Sequence, residues 1–190
     1  MTDQLQMSVL GMAGSLRQGS YNRAALRAAV ELAPAGMSVE IFDLTPIQPY
    51  NEDVKEKGFP PPEQALREKI RAADALLIVT PEYNRSMSGV LKNAIDWASR
   101  PPDQPFSSKP TAIFGASPGM IGTAVAQYDL RRCLSVLNAL VMNTPSVMIG
   151  QAAQKFDGQG RLLDEKTRET IAKFLQSLAE WTRRHGPGGG

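Results

Sequence analysis

Met7-Ser8-Val9-Leu10-Gly11-Met12-Ala13 runs directly into Gly14-Ser15-Leu16-Arg17-Gln18-Gly19-Ser20-Tyr21-Asn22, and a helical pattern follows at once. The first seven residues read as a strand and 14–20 as a polar turn, while Tyr21 to Ala33 carries Leu26, Val30 and Ala33 near helical spacing. Pro34 and Gly36 end that helix. Ser38 to Phe42 alternates and makes a second strand, so the chain opens with a strand, a turn, a helix and a strand.

The same alternation continues to the C-terminus. Thr45 to Pro62 is a Pro-rich connection and the longest loop, and Glu63 to Ala73 then places Leu66, Ile70 and Ala73 at helical spacing. Ala75 to Thr80 is a continuous apolar run, as a strand buried on both faces requires, which makes it the expected centre of the sheet. After a turn at Pro81 to Ser86, the residues Met87, Leu91, Ala94, Ile95 and Ala98 form one helical face that stops before Pro101 and Pro102. Thr111 to Ala116 is a fourth strand and Ile121 to Leu137 a helix. Val141 to Met148 holds a fifth strand whose register Pro145 disturbs, and Asp164 to Arg183 is a closing helix. A βαβα series of this kind predicts a parallel sheet covered by helices on both faces: a three-layer, doubly wound α/β fold, either flavodoxin-like or half of a dinucleotide-binding fold.

At 190 residues, 42% hydrophobic and 21% charged, the chain is expected to form one domain over 1–185, followed by a frayed Gly-rich tail at 186–190. Cys133 has no partner cysteine and His185 is the only histidine, so neither a disulfide framework nor a Cys/His zinc site is available and no metal site is expected. No apolar run approaches the ~20 residues of a membrane span, and the N-terminus lacks the basic region of a secretory signal, which points to the cytoplasm. The 21 Lys and Arg against 19 Asp and Glu are spread along the chain, giving a net charge of +2 and no footprint for nucleic acid or a membrane surface.

In doubly wound sheets ligands bind beyond the carboxyl ends of the strands, where the strand order reverses. Three turns sit there. Gly14 to Asn22 opens a helix, so free N–H groups and the positive end of the helix dipole face into the turn. Ser15 and Ser20 add hydroxyls, Asn22 an amide and Arg17 a fixed charge, a donor set that suits a terminal phosphate dianion. The plainer reading makes Ser20 a helix cap and Gly14 and Gly19 turn formers. Neither G-x-G-x-x-G nor a P-loop motif is present. Pro81-Glu82-Tyr83-Asn84-Arg85-Ser86 offers flat apolar surface beside polar groups, which suits a planar heteroaromatic ring. Taken alone, it reads first as an ordinary strand-to-helix turn with Ser86 as a cap. Gly115-Ala116-Ser117-Pro118-Gly119 matches the G-x-S-x-G nucleophile elbow, and Asp157 or Asp164 and then His185 follow in the order a Ser hydrolase would use. Pro118 argues against it, because the residue after the nucleophile must donate its N–H to the oxyanion and proline has none. Ser117 then serves as a donor, beside glycines that allow close approach of a ligand.

Taken together and in this order, the three turns resemble the NADPH-dependent FMN reductase family, which includes quinone, azo-dye and chromate reductases. The resemblance rests on Gly14-Ser15-Leu16-Arg17 with Gly19-Ser20-Tyr21-Asn22, on Pro81-Glu82-Tyr83-Asn84 with Leu91-Lys92-Asn93-Ala94-Ile95-Asp96-Trp97, and on Gly115-Ala116-Ser117 with Gly119. It implies a flavodoxin-like fold with a five-stranded parallel sheet in the order 2-1-3-4-5, non-covalent FMN, and a homodimer or homotetramer whose active sites lie at the dimer interface. It also implies that Ser15, Arg17, Ser20 and Asn22 hold the FMN phosphate, that Pro81, Glu82, Tyr83 and Asn84 line the isoalloxazine, largely through backbone amides, and that Ser117 approaches its pyrimidine edge. Arg100 is a candidate for the phosphate of the nicotinamide cofactor, although an exposed Arg before a Pro-rich turn needs no such role.

The implied activity passes hydride from NADPH or NADH through FMN to a small-molecule acceptor in a ping-pong cycle, with quinones, azo compounds, chromate or free flavin as acceptors and no catalytic side chain required. The alternative with the same cofactor is a flavodoxin-type electron carrier. Such carriers are usually strongly acidic, whereas this chain is +2. A Ser hydrolase built on Ser117 is the more distant alternative.

Overall fold

The computed structural model describes residues 6–186. Its strands are β1 (Met7–Ala13), β2 (Met37–Phe42), β3 (Ala75–Val79), β4 (Pro110–Ala116), β5 (Leu140–Val141) and β6 (Val147–Ile149). They form one parallel sheet in the order β2-β1-β3-β4-β5, with β6 also paired to β4. The alternation predicts a doubly wound fold, and the order is the flavodoxin-like one that the family resemblance implies. The helices are α1 (Tyr21–Glu31), α2 (Glu52–Lys55), α3 (Pro61–Ala72), α4 (Gly89–Ala98), α5 (Ala124–Val136) and α6 (Glu165–His185).

Strand side chains alternate between two cores, as the period-2 geometry of a pleated sheet dictates. Val9, Leu77, Val79, Ala112 and Phe114 face α1 and α6, where Leu26, Phe174 and Leu178 cover them. Leu10, Met12, Leu76, Ile78 and Ile113 face the opposite layer, built from Leu66 and Ile70 of α3, Leu91 and Ile95 of α4, and Leu130 and Leu134 of α5. Every residue of β3 is buried, which explains its unbroken apolar run.

The fifth strand departs from expectation. It is two short pieces, because from Thr111↔Val141 to Phe114↔Val147 the edge chain takes six steps where β4 takes three. Pro145 lies in the excess and has no N–H to give the ladder. Arg131 of α5 holds the bulge from behind, donating through Nη1 to Met142 O at 2.8 Å and to Asn143 Oδ1 at 3.2 Å. The Pro-rich connection contains the single turn α2, which Asn51 caps through an Oδ1 contact to Asp53 N at 2.9 Å. Two helices start later than their periodicity suggests, at Gly89 rather than Met87 and at Ala124 rather than Ile121. In α4 the reason is the Ser88 cap, whose Oγ accepts from Leu91 N at 3.2 Å. No helix among the described residues is long and apolar enough to cross a membrane. Of the tail at 186–190, only Gly186 lies within the described residues.

Candidate functional site

Parallel register brings the three turns together. Ala13 pairs with Val79 and Val79 with Phe114, so β1, β3 and β4 end side by side. Two glycines let the chain close up there. A Cβ on Gly14 would sit 2.8 Å from Ser88 Oγ and 3.0 Å from Pro81 Cδ, and one on Gly115 would sit 2.1 Å from Thr80 O. Only hydrogen fits at either place, so the first turn packs against the second and the third against the end of β3.

The first turn presents donors without acceptors. The backbone N–H groups of residues 15–19 meet no acceptor among the described residues, while Ser20 N donates to Arg17 O at 3.1 Å and closes the loop. Ser20 is the N-cap of α1, its Oγ accepting from Asn22 N at 3.2 Å and Arg23 N at 3.4 Å. Its O–H proton is left to donate outward, so the cap and the anion-site readings are compatible. Arg17 is exposed, joins no ion pair among the described residues, and rests 6.0 Å from the Tyr21 ring centre. Asn22 is more committed than its expected role implies. Its Nδ2 donates to Ala116 O and its Oδ1 accepts from Ala116 N, both at 2.9 Å, so it rivets the start of α1 to the end of β4. One amide hydrogen remains.

In the second turn Pro81 is buried and Tyr83 is 54% exposed. Tyr83 N donates to Ser86 O at 3.1 Å and Ser86 N to Tyr83 O at 3.0 Å, with Asn84 and Arg85 at φ of 52° and 63° between them. That two-residue reversal places non-glycine residues in the left-handed region, a local strain that α5 holds in place. Glu82 Oε2 accepts from Val125 N at 3.0 Å and Ala126 N at 3.1 Å, capping a helix whose Thr123 makes no side-chain cap. In return Asp129 of α5 accepts from the Ser86 hydroxyl and binds Arg132 at 2.7 Å. The Ser86 hydrogen bond first, and Arg132 second, hold the Asp129 carboxyl below the usual range. The Glu82 side chain therefore faces α5, and only its backbone is free to line the cleft.

In the third turn Ser117 is tied down. Its N donates to Ile149 O at 3.0 Å and its Oγ to Gly122 O at 2.7 Å. The uncommitted donors are instead the N–H groups of residues 119–122, which have no acceptor among the described residues. The hydrolase alternative fails on placement. His185 packs on Trp181, whose indole donates to Leu140 O at the start of β5, the end of the sheet opposite Ser117. Asp157 is engaged by Arg161, and Asp164 caps α6 through Thr167 N at 2.9 Å. Arg100 is likewise remote within one chain, because α4 leads away from the second turn for 10 residues, about 15 Å. There its Nε donates to Asp96 O at 3.0 Å.

Sequence reasoning missed Asp129 and the Asn22 rivet. Their partners lie 43 and 94 residues away, and no local pattern marks such pairs.

A phosphate-sized donor loop, a partly apolar second turn and a third turn rich in free amides, all at the switch point between β1 and β3, define a flavodoxin-like mononucleotide site. Comparison with known proteins narrows the class. The profile of the NADPH-dependent FMN reductase family matches residues 7–154, and the chain belongs to that family of FMN-using oxidoreductases. It is 60% identical over 184 residues to an NAD(P)H-dependent FMN reductase of Pseudomonas aeruginosa, covering 97% of this chain and 98% of that one. A quinone reductase of Escherichia coli is 45% identical over 187 residues, with 97% and 98% covered. Among solved structures, the flavoenzyme NAD(P)H:(acceptor) oxidoreductase of Paracoccus denitrificans superposes with a TM-score of 0.87 at 36% identity, covering 95% of this chain and all of that one. The residues fit FMN on chemical grounds, since unpaired N–H groups and an unpaired arginine at one helix start suit a phosphate dianion.

Proposed function

We propose that this chain binds FMN across the three turns and catalyses reduction of quinones by NADPH or NADH. The observation that carries the reading is the run of unpaired N–H groups at 15–19 beside unpaired Arg17, with Gly14 drawing the second turn against it. The names of the Pseudomonas and Escherichia relatives support it. Ser15, Arg17 and the Ser20 hydroxyl hold the phosphate, and Asn22 adds its remaining amide hydrogen while fixing the loop. Pro81 and Tyr83 give the isoalloxazine an apolar seat, with the backbones of Glu82 and Asn84 beside it. The amides of 119–122 meet the pyrimidine edge, where negative charge gathers on reduction, and Ser117, its donors spent on Ile149 O and Gly122 O, fixes the turn that carries them. When bound, FMN supplies a two-electron relay that takes hydride from the nicotinamide and passes the electrons to the acceptor. Nicotinamide and acceptor would use the bound cofactor in turn, a ping-pong order, with azo compounds, chromate and free flavin as further acceptors. The activity belongs in the cytoplasm, where reduced nicotinamide nucleotides are plentiful.

The unit is a homodimer, or a pair of such dimers, formed over the α4–α5 face. There a groove of about 550 Å³ runs from Ser86 and Asp129 to Arg100, with Lys92, Asp96 and Arg132 between. A second copy related by a two-fold axis would match these mixed charges to each other. It would also carry its Arg100 toward the first copy's second turn, the one route by which Arg100 reaches the nicotinamide nucleotide.

The test is FMN binding followed by fluorescence, with NADPH:benzoquinone kinetics. Arg17→Ala is expected to raise the FMN dissociation constant about tenfold, the loss of one charge-assisted contact. An unchanged constant would take the phosphate out of this loop. Double-reciprocal plots at several quinone concentrations are expected to run parallel, and intersecting lines reject the ping-pong order.

A further inference from the structure

Glu82 reaches from the second turn to the start of α5, where its Oε2 accepts from Val125 N at 3.0 Å and from Ala126 N at 3.1 Å. These are the second and third residues of a 13-residue helix whose N-cap, Thr123, makes no side-chain cap of its own. A carboxylate from another segment therefore sits against the positive end of the α5 dipole. No lysine or arginine pairs with it among the described residues, whereas Asp129, farther along the same helix, is paired with Arg132. What offsets the Glu82 charge by direct contact is the helix end. Its other oxygen, Oε1, accepts from no donor among the described residues.

The same helix end borders the third turn. The N–H groups of residues 119–122 lead into α5 and have no acceptor among the described residues, so they carry the helix's positive partial charge into the turn. An anion beside a helix start is stabilised by a field that falls off within about one turn, and a carboxylate already seated there cancels part of it. A neutral oxygen holds a helix start equally well, as Ser20 does for α1 and Ser88 for α4. The unpaired charge of Glu82 is thus more than the cap requires. We propose that Glu82 is a positioning residue that also sets the redox poise of the site. Its charge, acting through the α5 start, opposes the negative charge that FMN gains on reduction, which keeps the bound flavin's midpoint potential low and favours passing electrons on to the acceptor. The proposal rests on the reading that FMN lies across the three turns with its pyrimidine edge at 119–122.

The experiment uses the FMN-loaded protein and two variants. Glu82→Gln keeps an oxygen for Val125 N and Ala126 N and places its NH2 where Oε1 now has no donor, so the cap survives and the charge is gone. Glu82→Ala removes both. The midpoint potential of the bound flavin is read from its visible spectrum against a reference dye at pH 7 without oxygen, and stability is read as the urea midpoint. Glu82→Gln is expected to keep a urea midpoint near that of the wild type. It is also expected to raise the affinity for reduced FMN relative to oxidised FMN about tenfold, a rise of about 30 mV for a two-electron couple. Glu82→Ala is expected to show a similar rise together with a lowered urea midpoint. A Glu82→Gln potential equal to that of the wild type, or below it, overturns the proposal and leaves Glu82 as a helix cap alone. A wild-type protein that retains no flavin overturns the FMN reading and this role with it, a result distinct from a bound flavin whose potential does not move.

Discussion

Gly14 and Gly115 both lie where the turns meet, yet their surroundings differ in what can give way. A Cβ on Gly115 meets the Thr80 carbonyl at 2.1 Å and Thr123 Oγ1 at 2.2 Å, and the carbonyl belongs to the central strand's own exit. Gly115→Ala is therefore expected to cost about 3 kcal/mol of stability, the upper range of overpacking, read as a lowered midpoint in urea. At Gly14 the first obstacle is the Ser88 hydroxyl, which can rotate away only by giving up its cap on Leu91 N, and the second is the Pro81 ring. Gly14→Ala is expected to lose about 1 kcal/mol of stability, the cost of a helix cap, and much FMN affinity, because it pushes the donor loop away from the second turn. Similar stability losses in the two variants would show that the close approach serves folding alone. These glycines were visible in the sequence as turn residues, and the structure adds why only glycine fits. Asn22 shows the limit of such reading. It was chosen as a phosphate ligand for its amide, and both ends of that amide are bonded to Ala116, across 94 residues.

The second turn and α5 clasp each other with two carboxylates, Glu82 on the helix start and Asp129 on Ser86. Asp129 titrates below its unfolded value of about 3.9. A depressed carboxyl contributes stability that is fully present above the unfolded pKa and is lost as pH falls through the folded one. Asp129→Asn is thus expected to lower Tm at pH 7, and its curve should converge on the wild-type curve as pH falls below the unfolded value and through the lower folded one. Curves that stay parallel over that range would mean that the Asp129 charge is not what holds the turn. Elements of this kind were legible from period and punctuation wherever one helix or strand buried a continuous face. The fifth strand was not, because three extra residues against β4 are a property of pairing, and the sequence showed only that Pro145 would interrupt something. The turn α2 was missed because a single capped turn among prolines has no period to read.

For the whole molecule, the distribution of exposed apolar side chains carries more information than the net charge of +2. Met120, Tyr128 and Val136 are 83%, 69% and 82% exposed, and all lie on or just before α5. Tyr128 and Val136 are eight residues apart, so they share a face of that helix, with Arg132 between them. Val136 also lines the groove that reaches Arg100. A monomer gains nothing from showing this face to water, whereas a two-fold partner would bury it and complete a site that one chain leaves without Arg100. Val136→Glu places a charge there without touching the core, since its side chain makes no buried contact to lose. If the proposed dimer forms over this face, the change is expected to convert it to monomer in light scattering at micromolar concentration and to raise KM for NADPH, while FMN, which the proposal places on turns of a single chain, stays bound. A monomeric variant with an unchanged KM would detach Arg100 from the nicotinamide site. A variant that remains dimeric would move the interface to another face and leave Arg100 at the far end of α4 with no reaction to serve.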